Sequence, residues 1–92
     1  MADTSRCVRL RVVTPAGAVL DIQCDSVRLN AADGQGGGLL GIRRGHMPAM
    51  IVLERGRLTA FSEGEKIKDI GVGGGVATVS DDVVTVLATE IF

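Results

Sequence analysis

The chain has 92 residues with 10 basic and 11 acidic side chains, and its only aromatic residues are two phenylalanines. This length predicts one domain, residues 1–92, with a modest core. The balanced charge and the scarcity of aromatic rings argue against a nucleic-acid partner, which needs excess positive charge or stacking surfaces. No apolar run approaches the roughly 20 residues of a membrane-spanning helix, and residues 1–7 lack a signal-peptide pattern.

The first third of the chain shows the two-residue period of half-buried strands. Residues 8–12 alternate between apolar side chains and the arginines Arg9 and Arg11, which predicts a strand with both arginines on its wet face. A Pro-Gly turn over residues 14–17 follows. Residues 19–31 then predict a second strand that is bent or bulged midway by a polar interruption.

The densest run of glycines, residues 31–48, predicts a loop, a short extended piece around residues 39–42 and a second turn. Residues 49–53 are apolar on both faces and predict a central strand, and residues 66–72 predict a wetter edge strand. The last hairpin ends in a strand predicted to lie deep in the core. Short strands, turns about every ten residues and no helical period predict an all-β two-sheet sandwich or flattened barrel.

One glycine pattern suggests nucleotide binding but lacks the structural context that this function needs. Gly36, Gly38 and Gly41 match the dinucleotide fingerprint, yet Gly45 and Pro48 leave no room for the helix that would bind a pyrophosphate. We therefore expect no nucleotide site in this loop. No Gly-Lys-Ser/Thr sequence is present either.

The single histidine and the two cysteines leave several interpretations open. His46 could join Cys7 and Cys24 in a zinc site, or form a Cys–His nucleophile, but neither shows the usual ligand spacing or orienting group. A disulfide between the cysteines is a further alternative. The preferred interpretation is that His46 bonds turn backbone and that both cysteines are small buried apolar residues in a reducing compartment. No metal or cofactor is expected.

Arginines in the glycine-rich stretch predict a contact site for another protein. Glycines let two backbones approach closely, and Arg43 and Arg44 can donate charge-assisted hydrogen bonds to carboxylates or carbonyls. The predicted contact residues are Gly36, Gly37, Gly38, Leu39, Ile42, Arg43, Arg44 and His46.

Several motifs in register resemble the β domain of the ε subunit of F-type ATP synthases. They include Leu10-x-Val12-Val13-Thr14-Pro15-x-Gly17, Gly41-Ile42-x-x-Gly45-His46-x-Pro48, the Gly73-Gly74-Gly75-Val76 break and Val84-x-Val86-Leu87-Ala88. The resemblance covers residues 8–88. It implies a ten-stranded β-sandwich without a catalytic site or cofactor, a central-stalk subunit that binds the γ subunit and the polar loops of the membrane c-ring. It also implies a peripheral position on the cytoplasmic face of the inner membrane, reached only through the complex.

The chain departs from that family pattern at three places. Arg44 stands where the family usually has proline, and Leu39 stands where it usually has an acidic or polar residue. Both changes suggest a ring loop of different charge, for example an acidic one. The chain ends at Phe92, where family members continue into a two-helix hairpin, so we expect either a short form or the β domain alone, with no ATP site.

The γ contact is expected on the earlier strands and the glycine break. Its candidate residues are Arg9, Arg11, Ile51, Gly74 and Gly75. Two other classes of function stay open. One is a small enzyme or ligand-binding sandwich that uses Cys24 or His46, and the other is an interaction module with a different partner.

Overall fold

The computed structural model describes residues 7–32 and 38–92, and this part of the chain forms nine β-strands. Their bounds are β1 Val8–Thr14, β2 Gly17–Cys24, β3 Ser26–Ala31, β4 Gly38–Arg43, β5 Ala49–Leu53, β6 Gly56–Ser62, β7 Glu65–Val72, β8 Gly75–Ser80 and β9 Val83–Ala88. The all-β prediction is confirmed, with nine strands in the described residues where ten were expected. No helix in these residues has the length and apolar content to cross a membrane.

The strands form one curled sheet that folds over on itself at β3. Its order is β2-β1-β9-β8-β5-β3-β6-β7, with β4 paired to β3 outside this path. β3 pairs with β6 near its start and meets β5 only where Ala31 faces Leu53. The sheet therefore has two halves, β2-β1-β9-β8-β5 and β4-β3-β6-β7, that enclose the core between them.

Alternating side chains supply the core from both halves. In β1, Val8, Leu10 and Val12 are at most 1 % exposed, while Arg9 and Arg11 face outward. β9 contributes Val84 and Val86 in the same way. The remaining buried apolar residues are Cys24, Val27, Leu29, Ala31, Ile42, Ile51, Leu53, Leu58, Ala60, Val72, Ala77, Val79 and Ala88.

The predicted bent second strand is in fact two strands, one in each half of the sheet. β2 pairs with β1, and β3 pairs with β4 and β6. The chain crosses between the halves at Asp25, whose backbone N–H donates to the Phe61 carbonyl over 2.8 Å. The Asp25 carboxylate also accepts from the Glu63 backbone N–H over 2.7 Å. These contacts with a distant turn divide what local sequence presents as one strand.

The predicted central position of β5 is confirmed, because β5 lies between β8 and β3 in the strand order. The expectation that β9 lies deep in the core is correct for only one of its faces, and the outward face of β5 is also uncovered. Met50 and Val52 in β5 are 68 % and 45 % exposed, and Leu87 in β9 is 51 % exposed. In a two-layer sandwich each strand has one face on the core, so the second apolar face of these strands is left outward. The predicted wet edge strand is confirmed, because β7 lies at one end of the strand order.

A short C-terminal segment covers the last part of the β7 edge. Ile91 forms an isolated bridge with Val72, and Gly71 and Phe92 exchange backbone hydrogen bonds of 2.9 Å. The Arg55 guanidinium lies 4.0 Å from the centroid of the Phe92 ring. The carboxylate of Glu90 accepts from the same guanidinium over 3.0 Å, so this segment is held by stacking, ion-pair and backbone contacts together.

Candidate protein-contact surfaces

The predicted contact residues of the glycine-rich stretch lie at opposite ends of one strand. β4 begins at Gly38 and ends at Arg43, a distance of about 17 Å at roughly 3.4 Å per residue. Leu39, near one end, is 67 % exposed, and Arg44 follows the other end. Gly36 and Gly37 lie outside the described residues. The site is thus an extended strand rather than one compact loop.

One of the predicted contact residues, Ile42, faces the core and cannot contact a partner. Ile42 is fully buried, with 0 % of its surface exposed, whereas its neighbours Gly41 and Arg43 are exposed. The alternation of side chains along β4 requires this arrangement. Ile42 therefore anchors β4 to the core, and the expectation of an apolar contact from its side chain is wrong. Gly41 lies within β4, opposite Arg28.

The turn after β4 is organised around His46, as predicted. The half-buried imidazole places Nδ1 2.8 Å from the Met47 carbonyl oxygen, and the His46 backbone N–H donates to the Arg43 carbonyl over 3.1 Å. Gly45 has a φ of +83°, a left-handed conformation that glycine adopts without steric cost. His46 shapes this turn rather than projecting from it.

Asp82, in the β8–β9 turn, is a residue that the sequence patterns did not single out. Its Oδ1 accepts from the Gly45 backbone N–H over 2.7 Å, and its Oδ2 lies 3.4 Å from Arg44 Nε. Its backbone carbonyl accepts from the Arg9 N–H over 2.9 Å. One residue therefore ties together β1, the β8–β9 turn and the turn that carries Arg44.

Three arginines meet at a groove beside this turn. Arg28 from β3, Arg43 from β4 and Arg44 line a groove of about 710 Å³. Arg28 also stacks over the Phe61 ring, with 4.8 Å between its Cζ and the ring centroid. Arg28 was not predicted as a site residue, since in sequence it shares the alternating pattern of any outward strand residue. The remaining lining residues are Asp25, Ser26, Gly45 and Gly64.

The outer face of the other half-sheet carries a row of apolar side chains across four strands. The strand register places Val52 opposite Val76, Val76 opposite Leu87, and Leu87 opposite Val13. Met50 lies on the same face of β5 and is 68 % exposed. We call Val13, Met50, Val52, Val76 and Leu87 the apolar row. Met50, Val52 and Leu87 are exposed, whereas Val13 and Val76 are half-buried. Contiguous apolar surface that is exposed in part in this way is typical of protein contacts.

The residues predicted for γ binding occupy three different environments around this row. Arg9 and Arg11 are exposed on β1, and Arg9 holds Asp21 through two hydrogen bonds of 2.8 and 2.6 Å. This pairing lowers the pKa of the Asp21 carboxyl and raises that of Arg9. Ile51 is only 5 % exposed, so its side chain belongs to the core and the expectation that it contacts a partner is wrong.

Gly74 and Gly75 lie where β8 begins, next to the apolar row. Gly75 has a φ of +141°, and a Cβ atom there would collide with the Leu87 carbonyl oxygen. Gly74 has a φ of +115°, and its carbonyl accepts from the Thr89 backbone N–H over 3.0 Å. Both glycines therefore have structural roles in addition to the contact role expected of them.

The structure distinguishes between the roles considered for the two cysteines. Cys24 is fully buried, and burial, with smaller effects from Asp25 and Cys7, raises its pKa to about 11. Such a thiol stays protonated at neutral pH and is a poor nucleophile. Cys7 is half-buried, so only Cys24 fits the expected buried apolar residue. Among residues 7–32 and 38–92, no three histidine, cysteine or acidic side chains cluster as metal ligands.

This curled β-sandwich carries an apolar row on one half and an arginine-lined groove on the other, and both features are typical of protein contacts. Residues 7–92 match the family model of the ATP synthase Delta/Epsilon chain, beta-sandwich domain. This match covers nearly all of the chain. The chain belongs to this family.

Curated relatives named ATP synthase epsilon chain agree with this membership. The protein from Anaeromyxobacter sp. (strain K) is 47 % identical over 79 residues, which is 86 % of this chain and 56 % of the relative. The Bacillus subtilis protein is 35 % identical over 81 residues, 88 % of this chain and 58 % of the relative. The chain thus spans a little over half the length of these relatives.

Two solved structures share the fold. A chain of the Euglena gracilis mitochondrial ATP synthase (OSCP/F1/c-ring, rotational state 1) aligns with a TM-score of 0.82 and 21 % identity, covering 99 % of this chain and 56 % of that one. A chain of the Tetrahymena thermophila mitochondrial ATP synthase (central stalk/c-ring) aligns with a TM-score of 0.69 and 18 % identity, covering 91 % and 64 %. The β-sandwich predicted by the sequence motifs is therefore confirmed.

Proposed function

We propose that this chain is a non-catalytic central-stalk component of an F-type ATP synthase that links the γ subunit to the membrane c-ring. The observation that carries the proposal is the pair of exposed surfaces on a domain of this family. The apolar row and the outer edge of β4 belong to different halves of the sheet, so one domain can bind two partners at once. In this role it couples rotation of the ring to ATP synthesis or hydrolysis, on the cytoplasmic side of the membrane.

The γ contact is assigned to the apolar row and its margin, which includes Arg11, Gly74 and Gly75. Arg11 lies at the end of the register row that begins at Met50 and passes through Thr78 and Thr85. A stable contact of standard size buries roughly 1,200–2,000 Å². An apolar centre with polar margins is the usual anatomy of such a contact. Arg9 lies further out and is already paired with Asp21.

A charge placed on the apolar row should strongly weaken γ binding. Met50→Glu and Leu87→Glu leave the core intact because both side chains face outward, yet each buries an unpaired carboxylate in the complex. We expect co-purification with γ to fall at least about tenfold. Ile67→Glu is the matched control, since Ile67 is 46 % exposed on β7 in the other half. Normal recovery of γ with both row variants would contradict the assignment.

The ring contact is assigned to β4, laid along the ring with both ends engaged. Within the described residues β4 pairs only with β3, so its other edge is open. Neighbouring helices pack 8–10 Å apart, so a strand about 17 Å long spans the loops of roughly two ring subunits. Gly38 and Leu39 meet one loop, and Arg43, Arg44 and the His46 turn meet the next.

Replacing Arg43 and Arg44 together by alanine should weaken ring docking with little effect on folding. Both side chains are exposed, and the Arg44–Asp82 pair is open to solvent, so the free energy of unfolding should change by no more than about 1 kcal/mol. Docking of the stalk onto ring-containing membranes, followed as ATP-driven ion pumping, should fall more at low salt than at high salt. Lys66→Ala with Lys68→Ala removes the same charge from β7 and should dock normally. Wild-type pumping by the arginine variant at low salt would remove both arginines from the contact.

A further inference from the structure

The charge pattern of the arginine-lined groove distinguishes two of its arginines from the rest of the described chain. Within residues 7–32 and 38–92, five of the seven arginines have a carboxylate ion-pair partner: Arg9, Arg11, Arg44, Arg55 and Arg57. Arg28 and Arg43 have none there, and both line the same groove. Guanidinium groups that share a groove and have no carboxylate ion-pair partner are suited to binding a carboxylate from another molecule.

The Phe61 ring holds the Arg28 guanidinium, and therefore its N–H donors, in a fixed plane. Its guanidinium lies over the Phe61 ring at 4.8 Å, and stacking on a ring face leaves the in-plane N–H groups available. Arg43 is paired in register with Ser26, two residues before Arg28 on β3. The two side chains therefore stand on the same outer face of neighbouring strands, and both reach the groove.

We propose that Arg28 and Arg43 form a carboxylate seat, a site that binds an aspartate or glutamate side chain of an acidic loop in a partner subunit. The seat lies at the Arg43 end of β4, so it deepens the proposed ring contact and rests on that proposed function for the identity of its partner. Phe61 is the floor of the seat, and the planar fork of each arginine matches a carboxylate.

A phosphate group fits this groove less well than a carboxylate. Phosphate sites use clusters of free backbone N–H groups, but the turn amides at this end already have acceptors. Gly45 N–H donates to Asp82 and Glu63 N–H donates to Asp25, each over 2.7 Å. The Asp25 carboxylate at the groove would also repel a dianion. Local charge and donor geometry together favour a single negative charge.

The seat can be tested on the isolated 92-residue chain by NMR, using the arginine Nε–H signals. The probe is the capped peptide acetyl-Gly-Glu-Gly-amide, compared with acetyl-Gly-Gln-Gly-amide and with inorganic phosphate at equal ionic strength. We expect saturable shifts of the Arg28 and Arg43 signals with the glutamate peptide alone. Arg28→Lys with Arg43→Lys keeps the charge but loses the fork, and should weaken binding about tenfold. The control variant is Arg57→Lys, at a position on β6 where the arginine is paired with Asp69 of β7. This variant should bind the glutamate peptide like wild type.

Three outcomes would overturn the seat: equal shifts with the glutamine peptide, tighter saturation by phosphate, or unchanged binding in the double lysine variant. None of these outcomes involves the membrane ring. The docking experiment on β4 decides the ring contact separately, so failure of the seat and failure of the proposed function are distinguishable.

Discussion

Substituting Gly75 by alanine should destabilise the domain more than the same change at any other described glycine that has a positive φ. A φ of +141° is strained for an L-residue, and the added Cβ would meet the backbone carbonyl of Leu87, which cannot rotate away. Gly75 is also paired with both Leu53 and Ala88, so a shift would disturb β5 and β9 together. We expect a loss of about 3 kcal/mol and a melting temperature lower by roughly 15 °C.

Gly17 provides the matched control for this substitution. Its φ of +124° is similar, but a Cβ there would meet nothing within 4 Å. Gly17→Ala should therefore cost only the backbone strain, about 1–2 kcal/mol. Thermal unfolding followed by circular dichroism compares the two variants directly. Equal melting temperatures would show that β8 can move away from β9. Gly75 would then have no structural role, and only its proposed contact with γ would remain.

The sequence predicts the strands of this fold well because alternation is a local property. The inward residues of β1 and the wet edge of β7 follow from it directly. The division of residues 17–31 into two strands does not, because it depends on Asp25 bonding to Phe61 and Glu63. Those partners are almost 40 positions away, and the sequence around Asp25 does not indicate these contacts.

Burial of apolar strands was overestimated for a related reason. Met50 and Val52 look like core residues because they alternate with Ile51 and Leu53, and hydropathy alone does not distinguish a covered face from a contact face. The exposed second face becomes visible only in the two-layer structure. The same limit placed Ile51 among the contact residues, although the register turns it inward.

The candidate site was partly predictable. The sequence shows two of its arginines, but it does not show which residues lie beside them in the fold. Arg43 and Arg44 stand out in a glycine-rich stretch that must be exposed. Arg28 lies on a strand 15 positions earlier and reaches the same groove only because β3 and β4 pair. Asp82 is 37 residues from the Gly45 amide that it accepts from. Pairing across the sheet, rather than local composition, brings these groups together.

Replacing Asp82 by alanine should loosen the turn that carries Arg44 and lower the stability of the whole domain. The change removes the 2.7 Å hydrogen bond from the Gly45 N–H and the 3.4 Å ion pair with Arg44. It also leaves alanine at a φ of 62°, where aspartate is better tolerated. We expect a loss of about 2–3 kcal/mol in the free energy of unfolding, measured by urea denaturation.

Two companion variants separate the causes of that loss. Asp81 has a φ of 51° in the same turn, so Asp81→Ala should show the backbone strain alone, about 1 kcal/mol. Asp82→Asn keeps an oxygen acceptor for Gly45 and a side chain suited to positive φ, and loses only the exposed ion pair, at most about 1 kcal/mol. Amide hydrogen exchange at Gly45 should accelerate in Asp82→Ala and stay slow in the other two. If Asp81→Ala and Asp82→Ala proved equally stable, with equal exchange at Gly45, the hydrogen bond would not be what holds the Arg44 turn in place.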